Sequence, residues 1–179
     1  MTTLRRLSFI VIQRATVQGC TLGTAESLTG GLIASSLAGV PGASKALLGG
    51  IVSYDSNVKK RLLAVEVTRG VVNAPCAVQM AVGARECLGA DIVVSATGLA
   101  GPGGGTAQIP VGTVFLAVAS VRTTRVEKYY FSGGRQAVRR KAVKAALQMV
   151  LAELTNEEGR YGEWSRKRRK RKKKLLRNR

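Results

Sequence analysis

The strongest constraint on the fold lies in residues 24–59, TAESLTGGLIASSLAGVPGASKALLGGIVSYDSNVK. A short apolar run breaks at Glu26-Ser27 and turns through Thr29-Gly30-Gly31. The next segment carries Leu32, Ile33 and Leu37 at helical spacing. The chain turns again at Pro41-Gly42 and runs strand-like from Gly49 to Tyr54. Strand, glycine turn, helix and strand in this order is the repeating unit of an α/β sheet. The same order places polar side chains where elements meet, at a helix start whose backbone N–H groups can bind an anion.

The remaining segments extend this pattern. Residues 2–18 read as an amphipathic helix, with Leu4, Leu7, Ile10, Val11 and Val17 on one side. Thr21 to Ala25 is a strand and Thr29 to Ala38 a helix closed by Gly39. Ser44 is positioned to cap a short helix over Lys45 to Leu48, and Ser56 to cap one over Asn57 to Leu63. Asn73 and Pro75 open a helix that runs to Leu88 and stops at Gly89. Asp91 to Ala96 is a buried strand, followed by a glycine-rich loop from Gly98 to Gln108. Val111 to Val121 and Val126 to Phe131 form a hairpin around 122–125. Gly133-Gly134 then leads into a helix from Arg135 to Leu154, in which Val138, Ala142, Ala145, Ala146, Met149 and Val150 keep the helical period. Strands that alternate with helices and end in an antiparallel pair predict an α/β class. The expected architecture is a layered α/β/α domain around a mixed, partly parallel sheet. One domain over 1–159 and a basic tail over 160–179 account for the chain.

Composition narrows the function. No run of 18 apolar residues occurs, so no membrane span is predicted. The N-terminal apolar run is short and stopped by Gln13-Arg14, which favours a first helix over a secretory leader. The three cysteines, Cys20, Cys76 and Cys87, match no zinc or redox spacing and read as small buried hydrophobes in a reducing compartment. Histidine is absent, which excludes Ser-His and Cys-His mechanisms and imidazole metal sites. No metal site and no cofactor is predicted. A base must then be Lys, Tyr, Glu, Asp or water. The net charge is +19, and residues 160–179 hold twelve Lys/Arg against one acid, Glu163. Residues 166–174 are nine consecutive bases. Such a block would make weak, sequence-independent contact with nucleic-acid phosphates, or stand solvated.

Four stretches could carry chemistry. Ser27, Thr29, Gly30 and Gly31, preceded by Glu26, could grip a phosphate or oxyanion, or simply cap a helix. Ser44, Tyr54 and Lys59 could form a nucleophile–base set in which burial lowers the lysine pKa and so replaces the missing imidazole. Residues 97–106, TGLAGPGGGT, follow a buried strand, where α/β folds bind ligands; Thr97, Gly98, Gly101 and Thr106 fall here. Arg135 stands in the first turn of a helix against its macrodipole, with Arg139 and Arg140 following, as a phosphate clamp would, or on a solvated face.

Together these motifs resemble the CinA C-terminal domain family, which includes bacterial nicotinamide mononucleotide deamidases. The similarity covers about residues 2–154. AES-x-TGG stands as Ala25 to Gly31, and PG-x-S as Pro41 to Ser44. GG-x-x-x-Y with its following lysine is Gly49-Gly50, Tyr54 and Lys59. TG-x-AGP-x-GGT spans Thr97 to Thr106, and PVGTV spans Pro110 to Val114. Phe131, Gly133 to Arg135 and Val138-Arg139 match the last motif. The resemblance implies hydrolysis of the carboxamide of nicotinamide mononucleotide in cytoplasmic pyridine-nucleotide salvage, by a homodimer. It implies a polar cluster of Ser27, Ser44, Tyr54 and Lys59, with Ser44 the nucleophile or water-orienting hydroxyl and Lys59 its base. Thr29 would line the pocket, and Thr106 and Arg135 would hold the phosphate. Larger members carry an added N-terminal molybdopterin-binding-like domain, which this chain is expected to lack. The sequence departs from the family at Leu28 (usually Cys), Asn73 (Ser), Ile109 (Lys) and Gly134 (Asp).

Overall fold

A computed structural model gives the structure of the chain and describes residues 3–156. The basic tail, including 166–174, lies outside the described residues. In chain order the elements are α1 (Thr3–Gln18), β1 (Leu22–Glu26), α2 (Leu32–Ala38), a 3₁₀ turn (Ala43–Lys45), β2 (Leu47–Val52), α3 (Ser56–Leu63), α4 (Ala74–Leu88), β3 (Ile92–Gly98), β4 (Thr113–Ala119), β5 (Thr124–Tyr130) and α5 (Arg135–Asn156). The strands form one sheet in the order β2-β1-β3-β4-β5. β1 pairs in parallel with both β2 and β3, whereas β4 and β5 add an antiparallel hairpin.

Strand alternation divides the core between the two faces. Leu22, Ile92, Val94, Val114, Leu116 and Val118 pack with Val11, Ile12, Ile33, Leu37, Val138 and Leu147 of α1, α2 and α5. Ala25 and Val93 point the other way, onto Met80 and Ala84 of α4 and Leu63 of α3. Ala117 and Ala119 meet Ala77 and Ala81 of α4 on that side. Two helical layers thus sandwich a mixed sheet, the α/β/α arrangement read from the sequence.

The topology opens one crevice. From β1 the chain reaches β2 through α2 on one face. It then returns past β1 to β3 through α3 and α4 on the other. Crossovers that part in this way leave a gap beyond the carboxyl ends of the strands. The register keeps those ends level: the Ser27 N–H donates to the Ala96 carbonyl at 2.9 Å, and the Ser53 N–H to the Glu26 carbonyl at 2.9 Å.

Three local expectations are corrected. α2 begins at Leu32 rather than Thr29, because Gly30 and Gly31 take φ values of 60° and 90° and form a corner ahead of the helix. Ser44 caps no helix over Lys45 to Leu48. The Ala46 carbonyl accepts from the Leu22 N–H at 2.8 Å and draws the following residues into β2. Asp55, not Ser56, caps α3, its Oδ1 accepting from the Asn57 N–H at 2.8 Å.

Candidate active site

The crevice contains a cavity of about 200 Å³ whose lining includes Ser27, Tyr54, Lys59, Thr97, Gly101 and Arg135. Ser27 is the first residue after β1, and Tyr54 follows β2 by two positions. Lys59 reaches in from α3, Thr97 from the end of β3, and Arg135 from the first turn of α5.

Lys59 is only 1% exposed. Its Nζ donates to the Ser53 carbonyl at 2.7 Å and to the Tyr54 carbonyl at 2.9 Å. Burial pushes its pKa below the ordinary 10.5, against smaller opposing effects of Cys76 and Asp55. The chemistry follows from the donor count. An ammonium has three hydrogens and an amine two. With two carbonyls accepting, the third position is either an N–H or the lone pair of a base. Burial shifts the balance toward the base. The neighbouring Cys76 is buried as well, and desolvation raises its thiol pKa, which keeps its opposing effect on Lys59 smaller than that of burial.

Ser27 is half-buried, and among the described residues its hydroxyl has no hydrogen-bond partner, which leaves it free for a ligand. The Arg135 Nη2 donates to the Tyr54 Oη at 2.6 Å while its Nη1 donates to the Gly101 carbonyl at 2.8 Å. One guanidinium therefore joins α5, the glycine loop and the β2–α3 connection, and sets a positive charge at the mouth. The Thr97 hydroxyl is occupied: it donates to the Val71 carbonyl at 2.5 Å and fixes that wall. Gly98 is set by packing, since a Cβ there would stand 2.5 Å from the Thr113 carbonyl oxygen of β4.

Several expected site residues have other roles. Glu26 is fully buried, and its carboxylate accepts from the Ile33 and Ala34 N–H groups at 3.0 and 2.8 Å and from Thr24 Oγ1 at 3.1 Å. It caps α2 from within and does not reach the cavity. The start of α2 already holds this internal anion, so Thr29, Gly30 and Gly31 form a structural corner rather than a phosphate cradle. The Arg139 guanidinium clamps that corner, donating to the Leu28 carbonyl at 3.0 Å and the Thr29 carbonyl at 2.8 Å. Thr106 closes an exposed turn away from the cavity, its Oγ1 accepting from the Ile109 N–H at 3.0 Å. Ser44 lies before β2 and Tyr54 after it. Six strand residues separate the two ends, roughly 20 Å. Within one chain Ser44 cannot pair with Lys59. The carbonyls of Ser53 and Tyr54, which hold Lys59, were not legible in the sequence, because main-chain acceptors leave no residue signature.

The CinA C-terminal domain profile matches residues 5–154. The chain belongs to the CinA C-terminal domain family. A CinA-like protein of Geobacter sp. (strain M21) is 48% identical over 125 residues, covering 68% of this chain and 30% of the relative. One from Desulfotalea psychrophila is 40% identical over 155 residues, covering 84% of this chain and 38% of the relative. The chain thus spans about a third of the length of these CinA-like relatives. A competence/damage inducible protein of Agrobacterium tumefaciens superposes with a TM-score of 0.82 at 37% identity, covering 85% of this chain and 95% of that one. A CinA superfamily protein of Klebsiella pneumoniae gives 0.82 at 28% identity, with 87% and 99% covered.

Three of the four departures from the CinA motifs stand off the cavity. Asn73 caps α4, its Oδ1 accepting from the Cys76 N–H at 2.8 Å, a role that serine fills equally. Gly134 is exposed, with nothing within 4 Å of where a Cβ would project. Ile109 sits in the Thr106 turn. Leu28 alone lines the cavity, at 4% exposure.

Proposed function

We propose that this CinA-family chain is an amidohydrolase that converts nicotinamide mononucleotide and water to nicotinic acid mononucleotide and ammonia, as part of cytoplasmic pyridine-nucleotide salvage. The observation that carries this reading is Lys59, a buried lysine held by two carbonyls beside a free serine hydroxyl in one cavity. In this reading the Lys59 amine takes the Ser27 proton as Oγ attacks the carboxamide carbon. The resulting ammonium returns the proton to the departing nitrogen, and ammonia leaves. Water, deprotonated by the same amine, then hydrolyses the acyl ester and regenerates Ser27. The cavity is smaller than the roughly 300–1,000 Å³ usual for a whole drug-sized ligand. It suits the carboxamide end, with the phosphate left at the mouth near Arg135. No helix among the described residues is long and apolar enough to cross a membrane.

The test is ammonia release from nicotinamide mononucleotide by the parent, Ser27→Ala and Lys59→Ala. The expected result is turnover in the parent and a fall of about a hundredfold or more in each variant. Turnover that survives both substitutions overturns the residue roles. A folded parent that releases no ammonia overturns the reaction.

A further inference from the structure

The face built from α1, α2 and α5 is set apart by its charge. α1 reads TLRRLSFIVIQRATVQ and α2 reads LIASSLA, neither with an acid. α5 carries Arg135, Arg139, Arg140, Lys141 and Lys144 before its one acid, Glu153. Glu153 is buried, accepts from Thr123 Oγ1 at 3.1 Å and pairs with Arg125 at 3.6 Å. It lies roughly 13 Å along the axis beyond Lys144 and does not neutralise the start of the helix. The five cations stand in the N-terminal half of α5, toward the positive end of its macrodipole.

Three of the five are engaged within the fold. Arg135 holds the Tyr54 hydroxyl and the Gly101 carbonyl, and Arg139 the Leu28 and Thr29 carbonyls. The Lys141 Nζ donates to the Ser132 carbonyl at 2.8 Å. Arg140 and Lys144 are exposed and have no hydrogen bond or ion pair among the described residues. They stand one turn apart on the same side of α5, where like charges repel. An anion between them removes that cost. Both line a groove of about 420 Å³ that shares no residue with the cavity of the candidate active site. Its floor is apolar: Val143 is buried, and Leu4 of α1 and Leu32 of α2 are half-buried. Ser36, on the same wall, turns its hydroxyl back to the Leu32 carbonyl at 2.6 Å.

An occupant of this groove needs an apolar body and a negative end. A second copy of the chain presents the same cations, and residues 166–174 are nine bases, so like charge disfavours both. The volume lies within the roughly 300–1,000 Å³ usual for small-molecule sites. We propose that the groove binds a medium-chain carboxylate, its chain on Leu4, Leu32 and Val143 and its head between Arg140 and Lys144. Burial of the chain supplies a non-directional attraction, and the guanidinium and ammonium give the head charge-assisted hydrogen bonds. The site stands independently of the amidohydrolase reading.

Titration calorimetry of the full chain with decanoate tests the site. The expected result is a saturable isotherm for a single site. Acetate lacks the chain and decyltrimethylammonium lacks the negative head, so each binds weaker by about tenfold or more. The double variant Arg140→Glu, Lys144→Glu reverses two exposed charges and leaves residues 160–179 intact. It is expected to keep the parental circular dichroism and to weaken decanoate by about tenfold or more. Decanoate binding that survives this variant belongs to the basic tail and overturns the proposal. Acetate binding as tight as that of decanoate, or no saturable binding of decanoate, overturns it equally. A chain that leaves decanoate free yet sediments with phosphatidylglycerol vesicles, an effect lost in the double variant, uses this face on a lipid surface and overturns the small-molecule site.

Discussion

At the scale of single residues, two buried ionisable groups from one motif region have opposite uses. Glu26 accepts from helix N–H groups and holds the fold, whereas Lys59 donates to carbonyls and lines the cavity. Glu26→Ala leaves the Ile33 and Ala34 N–H groups buried without acceptors. It is expected to destabilise the protein by about 3 kcal/mol in chemical denaturation. Lys59 gives a signed pH dependence. Its folded-state pKa lies below 10.5, so the unfolded chain binds its proton more tightly. Stability therefore rises with pH from the folded pKa up to about 10.5 and gains nothing from this group below that window. Thermal melts across pH 7–10 show this rise in the parent, and Lys59→Met removes it. In the proposed reaction activity is expected to follow the same group, with kcat/KM climbing as the amine forms and an inflection below the ordinary lysine value. Lys59→Arg, which cannot release its proton, stays inactive at every pH.

At the scale of elements, glycine decides where segments approach. A Cβ at Gly83 of α4 would stand 2.2 Å from the Leu63 carbonyl oxygen at the end of α3. Gly83→Ala is expected to cost about 1–3 kcal/mol by forcing these helices apart, read as a lowered denaturation midpoint. Gly134 shows the reverse case. It precedes α5 in open space at a negative φ, and aspartate there would accept from the first-turn N–H groups and oppose the positive helix end. Gly134→Asp is expected to raise stability by roughly 0.5–1 kcal/mol. The helices and strands themselves were largely legible from periodicity. Their ends were less so. The start of α2 was misplaced because the Thr29-Gly30-Gly31 corner shares a composition with a helix N-terminus. The strand start at Leu47 was missed because a hydrogen bond from Leu22, distant in sequence, decides it.

At the scale of the whole molecule, the sheet order brings Ser27, Tyr54, Lys59, Thr97 and Arg135 to one crevice and leaves Ser44 at the far end of β2. The basic tail is a separate matter of charge. Deleting residues 160–179 is expected to abolish retention on a polyanion column at low salt, and retention of the full chain should fall steeply as salt rises. The sequence by itself determined the α/β class, the family motifs and the absence of an imidazole base, because periodicity, turn residues and residue chemistry are local properties. The tertiary structure decided which motif residues meet. Glu26 turns inward because α2 folds back over β1. Lys59 gives up its proton more readily because the packed core desolvates it, and two carbonyls fix its Nζ. Ser44 is parted from both because a parallel strand separates its two ends by its full length, a distance that no local pattern encodes.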